Sequence, residues 1–284
     1  MPSYVVTGAS RGIGLQFVRQ LSADPSNTVF GLVRNKGTSQ RLLALAHARS
    51  NVHVLEADVT DAARLRAAAA EVAKLTDGTL DCLVNNAAYV QETRRAYDLT
   101  TYSEKDEDDL LAADFDAAFR VNVLGVAYAT NAFLPPLRAA ASPFTSTTSA
   151  STAANPAKVI TLSSGIGDVD LTRALRFAGQ AAYCASKAAV NMLVAKYAAR
   201  FAEEPLVFLA LSPGLVDTST RAPTPEELEF AVEFIERGKE VYPEWDGRPI
   251  SPEVSVRAML EVIGKVGRED SGAFVSHWGN KQWV

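Results

Sequence analysis

Short apolar segments alternate with longer segments rich in alanine and leucine along most of this chain. Several of the apolar segments are continuous runs, which is typical of parallel strands whose two faces are both covered by helices. The alternation therefore predicts βαβ units and an α/β fold, a doubly wound parallel sheet of about seven strands. The predicted strands are residues 4–7, 29–33, 52–56, 80–85, 159–163, 206–211 and 272–275.

The longer segments predict the helices that connect these strands and cover both faces of the sheet. We expect them at residues 13–21, 40–48, 61–75, 108–139, 181–201 and 252–263. A chain of 284 residues can bury one large core, and α/β folds of this length are routinely one domain. We therefore predict a single domain over residues 1–284.

Two segments interrupt this alternation. Residues 140–157 are rich in Ser, Thr, Ala and Pro, a composition typical of a surface insertion. Residues 218–252 combine prolines with an acidic helix predicted at about 225–240, followed by Tyr242 and Trp245. This second segment follows the sixth strand, at the end where ligands of open α/β sheets bind. It can be a solvated acidic helix or a substrate lid, and we favour the lid.

The first predicted strand leads directly into the glycine-rich run Thr7-Gly8-Ala9-Ser10-Arg11-Gly12-Ile13-Gly14. Glycines allow a tight turn and close backbone approach, and the following helix N-terminus offers free N–H groups to a pyrophosphate. The spacing Gly-x-x-x-Gly-x-Gly differs from the usual Gly-x-Gly-x-x-Gly, but the position between a strand and a helix is the right one. We predict a dinucleotide site in a Rossmann-type fold, with a simple strand–helix turn as the alternative.

The residue about 20 positions beyond such a loop distinguishes NAD from NADP, because an acid there binds the ribose 2′-hydroxyl. That position is Arg34, Lys36 follows it, and residues 29–37 contain no Asp or Glu. Arg34, with Arg11 in the loop as a second cation, suits the 2′-phosphate of NADP(H). We therefore predict NADP(H), with Arg34 as a solvated residue at a strand end as the alternative.

Tyr183 and Lys187 stand four residues apart in a predicted helix and therefore share one face of it. An ammonium stabilises a neighbouring phenolate, so we expect Lys187 to lower the pKa of Tyr183 from its usual value of about 10. Such a phenol can donate a proton near neutral pH beside a bound dinucleotide. The same spacing also occurs on ordinary helix surfaces, so the prediction depends on partners elsewhere in the chain.

The overall charge narrows the class of partners. A net charge of −5 and a pI of about 5.4 argue against nucleic acid or an anionic membrane as the main partner. No apolar run reaches the roughly 20 residues that span a bilayer, and the first predicted strand begins too close to Met1 for a signal peptide. We therefore expect a cytoplasmic protein.

Cys82 and Cys184 match neither a disulfide framework nor a metal-ligand spacing, and no metal site is predicted.

Further motifs follow the glycine loop in a fixed order, namely Asp58-Val59, Asn85-Asn86-Ala87-Ala88, Asn122, Ser163-Ser164, Tyr183 with Lys187, and Pro213-Gly214. With these motifs the chain resembles the compact, single-domain branch of the short-chain dehydrogenase/reductase family, from about Tyr4 to Trp283. The C-terminal residues 271–275 and 282–283 are similar to those of C-factor-like and Sniffer-like carbonyl reductases and of fungal polyketide ketoreductases.

The resemblance implies a role for each motif. The catalytic residues that it implies are Asn122, Ser164, Tyr183 and Lys187, with Ser164 donating a hydrogen bond to the substrate carbonyl and Asn122 linking Lys187 to a proton path. Ser163 is the alternative to Ser164, because the 18 residues between Ser164 and Tyr183 exceed the family's usual spacing. The resemblance and the charge argument together give the cofactor-binding residues, and Tyr183 and Lys187 are among them. The others are Thr7, Gly8, Ser10, Arg11, Gly12, Ile13, Gly14, Arg34, Asp58, Val59, Asn85, Ala87, Pro213, Gly214, Val216 and Thr218.

The motifs and the resemblance together imply an NADPH-dependent carbonyl reductase or ketoreductase. Such an enzyme transfers hydride to a ketone or aldehyde, and Tyr183 is its expected proton donor. The resemblance also implies a small-molecule carbonyl or alcohol substrate and a homodimer or homotetramer. The alternative is a non-enzymatic, NADP(H)-sensing Rossmann protein that acts through a protein partner, which has no need of a proton donor.

Overall fold

Seven parallel strands form one sheet in the order β3-β2-β1-β4-β5-β6-β7 in the computed structural model of the protein, which describes residues 1–141, 156–219 and 222–284. The chain runs outward from β1 in one direction and then returns to run outward from β4 in the other. The predicted α/β fold and strand number are confirmed. The strands are β1 (Ser3–Thr7), β2 (Thr28–Val33), β3 (Val52–Glu56), β4 (Cys82–Asn85), β5 (Ala157–Leu162), β6 (Leu206–Ser212) and β7 (Phe274–Ser276).

Helices connect the strands and cover both faces of the sheet. Val5 and Val6 are adjacent in β1, yet they belong to two different hydrophobic clusters, because successive side chains of a strand point to opposite faces. Helices α3, α6 and α8 supply one cluster, and α1, α2 and α10 supply the other. The helices are α1 (Gly12–Leu21), α2 (Gln40–Ala48), α3 (Ala62–Leu75), α4 (Leu99–Glu104), α5 (Asp108–Phe119), α6 (Gly125–Ala140), α7 (Val169–Ala174), α8 (Ala181–Arg200), α9 (Pro225–Val241) and α10 (Pro252–Lys265).

The helix predicted at residues 108–139 is not continuous. Residues Arg120–Leu124 form a π-helical turn between α5 and α6, and the buried Asn122 lies at its centre. The turn itself contains neither glycine nor proline, so no residue within it marks the interruption in the sequence. Single π turns inside α-helices are frequent at functional sites.

The helices α4 and α7 were not predicted from the sequence. Each has six residues, which is too short to show helical periodicity. Their N-caps are the visible signal: the carboxylate of Asp98 accepts hydrogen bonds from Thr100 N and Thr101 N, and that of Asp168 accepts one from Leu171 N.

Helix α9 lies within the predicted lid and packs one face against residues 167–180, the extra sequence between Ser164 and Tyr183, which we call the insertion before α8. The ring of Phe177 lies 5.5 Å from that of Phe230 and 5.3 Å from that of Phe234, and Trp283 joins the same cluster. Arg176 of the insertion also pairs with Glu240 at 2.5 Å. The helix is therefore docked rather than solvated all round. The predicted insertion at 140–157 lies almost entirely outside the described residues.

The loop after β4 is held by a buried carboxylate. Asp114 of α5 accepts two hydrogen bonds from the Arg94 guanidinium, at 2.9 and 2.6 Å, and further ones from Gln91 Nε2 and Tyr102 Oη. Burial acts to raise the pKa of Asp114, but these hydrogen bonds together lower it below its usual range. Its side chain is only 3% exposed, so the pair is a fixed structural element.

Replacement of this carboxylate should destabilise the protein strongly. We expect Asp114→Ala to lower the free energy of unfolding by about 3 kcal/mol, because a largely buried guanidinium loses its partner. Urea unfolding measures this difference. Glu71→Ala, which removes the exposed ion pair with Lys74, is the matched control and should cost no more than about 0.5 kcal/mol. Equal effects of the two substitutions would contradict the assignment.

Candidate active site

The glycine loop after β1 forms a cradle that a side chain would fill. Gly8 and Gly12 adopt positive φ angles of 67° and 56°, which L-residues rarely adopt. A Cβ at Gly14 would lie 2.4 Å from the carbonyl oxygen of Gly8 and 2.4 Å from Asn86 Nδ2. The loop leads directly into the N-terminus of α1, whose first N–H groups have no partner within the helix. These features fit a dinucleotide pyrophosphate.

Asn86 anchors this loop, and sequence reasoning did not include it among the site residues. Its Nδ2 donates to the carbonyl oxygens of Thr7 and Gly8, at 2.8 and 3.1 Å. The hydroxyl of Thr7 in turn accepts from the backbone N–H groups of Asn86 and Ala87. Asn85, by contrast, points into the core, where it donates to Thr130. The available signal was the two consecutive asparagines directly after a buried strand.

A cavity of about 600 Å³ opens at the carboxyl ends of β2 and β3, where an adenosine is expected. The predicted residues Arg34 and Asp58 line it. Arg11, the second predicted cation, does not line it, and Val59 packs its methyl group against Gly125 instead. The other lining residues are Thr60, Asp61, Ala62, Arg64, Arg120 and Tyr128.

The segment after β6 approaches the glycine loop from the opposite side. A Cβ at Gly12 would lie 3.6 Å from Thr218 Cγ2, so Thr218 is a neighbour of the loop. The Ser255 hydroxyl donates to the Pro213 carbonyl at 2.7 Å, and Val216 forms a parallel bridge with Ile250. Both ends of the predicted lid are therefore attached to the sheet edge that carries the other predicted cofactor-binding residues.

Gly214 adopts a positive φ of 83° and lies against the buried His277, whose Cε1 would be 2.6 Å from a Cβ there. Burial lowers the pKa of His277 to about 4, so its imidazole is neutral at physiological pH. Ser10 and Ile13 lie in the same run as the glycines, and Ile13 packs against the hydrophobic cluster that α1, α2 and α10 supply. Most of the predicted cofactor-binding residues thus lie at the carboxyl ends of the strands. Asn85 points into the core instead, and Val59 packs against Gly125.

The three predicted groups of the reaction centre meet at the carboxyl end of β5. Tyr183 and Lys187 lie on α8, and the Lys187 ammonium is 5.6 Å from the centre of the Tyr183 ring. Ser164, two residues beyond β5, lies close enough to Tyr183 for its hydroxyl to act on the pKa of the phenol. Gln180, the residue before α8, has a φ of 55°, a strained conformation of the kind that clusters at functional sites.

The expected lowering of the Tyr183 pKa is not found. Burial of the phenol raises the pKa of Tyr183 to about 12, and the nearby Cys184 adds to this, while Ser164 and Arg95 act in the opposite direction. The Lys187 ammonium is instead engaged with the carbonyl oxygen of Leu162, at 2.7 Å. Burial lowers the pKa of Lys187 to about 8, so it still carries its charge at neutral pH. The phenol therefore keeps its proton at neutral pH.

The two adjacent serines have different surroundings. Ser163 is buried and donates to Asn191 Oδ1 at 2.6 Å and more weakly to the Lys187 carbonyl at 3.4 Å. This hydroxyl therefore ties β5 to α8. Ser164 is the serine that meets Tyr183. Trp283 supports the turn that follows, since a Cβ at Gly165 would lie 2.7 Å from Trp283 Cβ.

Asn122 lies behind the reaction centre and does not hydrogen-bond to Lys187 directly. Its Oδ1 accepts from Tyr89 N at 2.7 Å, and its Nδ2 donates to Tyr89 O and to Ser186 Oγ. Ser186 adjoins Lys187 in α8, so the side chain of Asn122 connects the loop after β4 to the catalytic helix. Sequence reasoning missed the roles of Tyr89 and Ser186, which only the fold brings to Asn122.

The aromatic residues of the lid serve mainly in packing. Tyr242 belongs to the cluster around Trp283, and Trp245 covers Gly238, where a Cβ would be 2.6 Å from Trp245 Cζ3. They close the C-terminal end of α9 against the protein.

This arrangement matches one known family. The model of the short-chain dehydrogenase family covers residues 3–229. The chain belongs to the short-chain dehydrogenase family. It is therefore an oxidoreductase by family. Two fungal members match it over the full length of both chains: short chain dehydrogenase virK of Hypocrea virens at 39% identity and short-chain dehydrogenase/reductase AacuF of Aspergillus aculeatus at 41%.

Solved structures of this family superpose closely on the chain. The NADPH-bound carbonyl reductase from chicken fatty liver has a TM-score of 0.75 at 28% identity, over 99% of this chain and 98% of that one. The carbonyl reductase Sniffer of D. melanogaster also has a TM-score of 0.75, at 23% identity and the same coverage, and supports the fold. The predicted resemblance to Sniffer-like carbonyl reductases is confirmed.

Neither membrane-spanning helices nor clustered metal ligands are found within residues 1–141, 156–219 and 222–284. No helix there has both the length and the apolar character needed to cross a bilayer. The same residues contain no group of three or more His, Cys, Asp or Glu side chains placed to hold a metal ion.

The buried Lys187 should give the protein a specific pH dependence. Its pKa of about 8 lies below the ordinary 10.5, so the unfolded chain binds more protons between these values and stability rises with pH there. Lys187→Met removes this contribution. From about pH 7.5 to 10.5 the wild type should gain on the order of 3 kcal/mol of unfolding free energy relative to this variant.

Chemical denaturation across this pH range measures the difference. Lys196→Met changes an exposed lysine of the same helix and is the control, since it should follow the wild type throughout. A constant difference between wild type and Lys187→Met would show that the ammonium is not affected by burial.

Proposed function

We propose that the protein is an NADPH-dependent carbonyl reductase or ketoreductase that reduces a ketone or aldehyde. The observation that carries this proposal is the meeting of Ser164, Tyr183 and Lys187 at the sheet edge that also holds the glycine cradle. A bound nicotinamide supplies the hydride for such a reduction. The protein supplies orientation, hydrogen bonds and a proton.

The side chains of the reaction centre suit reduction. Tyr183 keeps its proton at neutral pH and can donate it to the carbonyl oxygen as negative charge develops there. Ser164 lies near Tyr183, so its hydroxyl can donate a second hydrogen bond to the same oxygen. The Lys187 ammonium, fixed on Leu162, adds a positive charge behind the phenol. Asn122 positions the catalytic helix through Ser186.

The preference for NADP(H) rests on Arg34. Its exposed guanidinium lines the cavity at the ends of β2 and β3, and Arg120 lines the same cavity. Arg64, by contrast, is paired with Glu56 and Asp61. Unpaired guanidinium groups suit a 2′-phosphate, which accepts two parallel hydrogen bonds. The NADPH found in the chicken carbonyl reductase is in line with this preference.

The homodimer or homotetramer and the cytoplasmic location stay predictions. Helix α8 presents the exposed apolar side chain of Met192, which fits a contact between subunits. The alternative of a non-enzymatic NADP(H) sensor does not account for a protonated phenol that lies close to both Ser164 and Lys187.

Tyr183→Phe tests the reaction directly. We expect it to reduce NADPH-dependent turnover of aldehydes and ketones by a factor of at least about 10³, because the proton donor is lost. The affinity for NADPH, measured by fluorescence titration, should change less than about threefold. Turnover close to that of the wild type would refute the mechanism. Tight NADPH binding by the wild type without turnover of any carbonyl compound would favour the sensor.

Arg34→Asp tests the choice of cofactor. The carboxylate repels a 2′-phosphate and can accept a hydrogen bond from a 2′-hydroxyl. We expect the ratio of kcat/KM for NADPH to that for NADH to fall by about 10²-fold or more. Arg257→Asp makes the same charge change at an exposed position of α10 and should leave the ratio unchanged. An unchanged ratio in Arg34→Asp would exclude Arg34 as the selector.

A further inference from the structure

Two adjacent arginines in the loop after β4 have opposite surroundings. Arg94 makes a bidentate pair with Asp114, which occupies its charge. Arg95 makes no salt bridge with any carboxylate in the described part of the chain. Its Nε is buried and has no hydrogen-bond partner among those residues. A buried donor without a partner costs free energy, and a bound ligand that accepts a hydrogen bond there would remove this cost.

The backbone of Arg95 lies against the segment that leads into α8, the helix that carries Tyr183. Its backbone carbonyl oxygen is 2.8 Å from the position of a Cβ at Gly179, so only glycine permits this approach. Gly179 precedes α8 by two residues, and Phe230 of the lid helix packs on it as well. The loop after β4, the insertion and the lid therefore meet at one point, next to the N-terminal end of the catalytic helix.

The charge of Arg95 acts on the reaction centre itself. It lowers the pKa of Tyr183 against the larger effect of burial, and no carboxylate is among the groups that act on Tyr183. Lys187 provides a second positive charge, 5.6 Å from the centre of the phenol ring. The surroundings of Tyr183 thus hold two cations, of which Lys187 is already engaged with the Leu162 carbonyl. Arg95 is left to bind a ligand.

We propose that Arg95 is a specificity-determining residue that binds an anionic oxygen of the substrate, a carboxylate or an ionised phenol, next to the reacting carbonyl. This inference rests on the proposed carbonyl reduction and narrows its substrate class. A planar guanidinium suits either anion, because each can accept hydrogen bonds in its plane. The bound anion accepts a hydrogen bond from the buried Nε of Arg95. It thereby orients the substrate carbonyl toward Tyr183 and Ser164.

Matched substrate pairs test this assignment. The first pair is an aryl keto acid and its methyl ester, and the second is an acidic ortho-hydroxyaryl ketone and its methyl ether. Steady-state NADPH oxidation is measured for the wild type, Arg95→Gln, Arg95→Lys and the control Arg257→Gln. Thermal unfolding of each variant is measured in parallel, so that a folding defect is recognised.

Arg95→Gln should raise KM for the ionised member of at least one pair by about tenfold or more, with little change in kcat. The neutral member should change less than twofold, Arg95→Lys should retain part of the affinity, and Arg257→Gln should match the wild type. The pair that responds identifies the anion as a carboxylate or a phenolate. This split separates binding of the anion from a merely structural role, which would affect both members alike.

Equal losses for ionised and neutral members, no loss for either, or a wild type that reduces only the neutral members would overturn the assignment while leaving the carbonyl reduction intact. A wild type that binds NADPH and reduces none of these compounds, nor any in a broad carbonyl panel, would instead refute the proposed function, and the role of Arg95 with it.

Discussion

The buried ammonium of Lys187 depends on one hydrogen bond, to the carbonyl oxygen of Leu162 at the end of β5. A charge removed from water needs such a partner, so this bond fixes the catalytic helix against the strand. The hydrogen bond between Ser163 and Asn191 ties the same two elements a turn further on. With both in place, the chain direction at the end of β5 brings Ser164 to Tyr183, which is the contact that the proposed chemistry requires.

Positive charge is distributed along this edge according to what each group already binds. Arg94 is held by a buried carboxylate and acts in positioning, whereas Lys187, held by a backbone carbonyl, places its charge 5.6 Å from the centre of the Tyr183 ring. Arg34 and Arg95 have no such partners among the described residues, and each lies where a ligand can supply one. An arginine in this protein thus stabilises the structure where a carboxylate lies nearby, as for Arg94, and is available to a ligand where none does, as for Arg34 and Arg95.

The unusually long connection between Ser164 and Tyr183 packs against α9, the helix of the predicted lid. Its Phe177 packs on two rings of α9, and Trp283 from the C-terminus completes the cluster. The turn at Gly165 also rests on Trp283, so the lid and the serine share one support. This cluster explains how extra residues are accommodated without separating Ser164 from Tyr183.

The order of motifs and the alternation of apolar segments determined the sheet, the glycine loop and the site residues that we propose, because continuous buried strands and Tyr-x-x-x-Lys spacing are local properties. Only the tertiary structure decided the features that depend on distant neighbours. These are the raised pKa of Tyr183, the π turn at Asn122, and the absence of Arg11 from the residues that line the cavity beside Arg34. It also decided which of two adjacent arginines is free. Burial and partner choice are set by residues far apart in the chain, such as Asp114 for Arg94, and no local pattern records them.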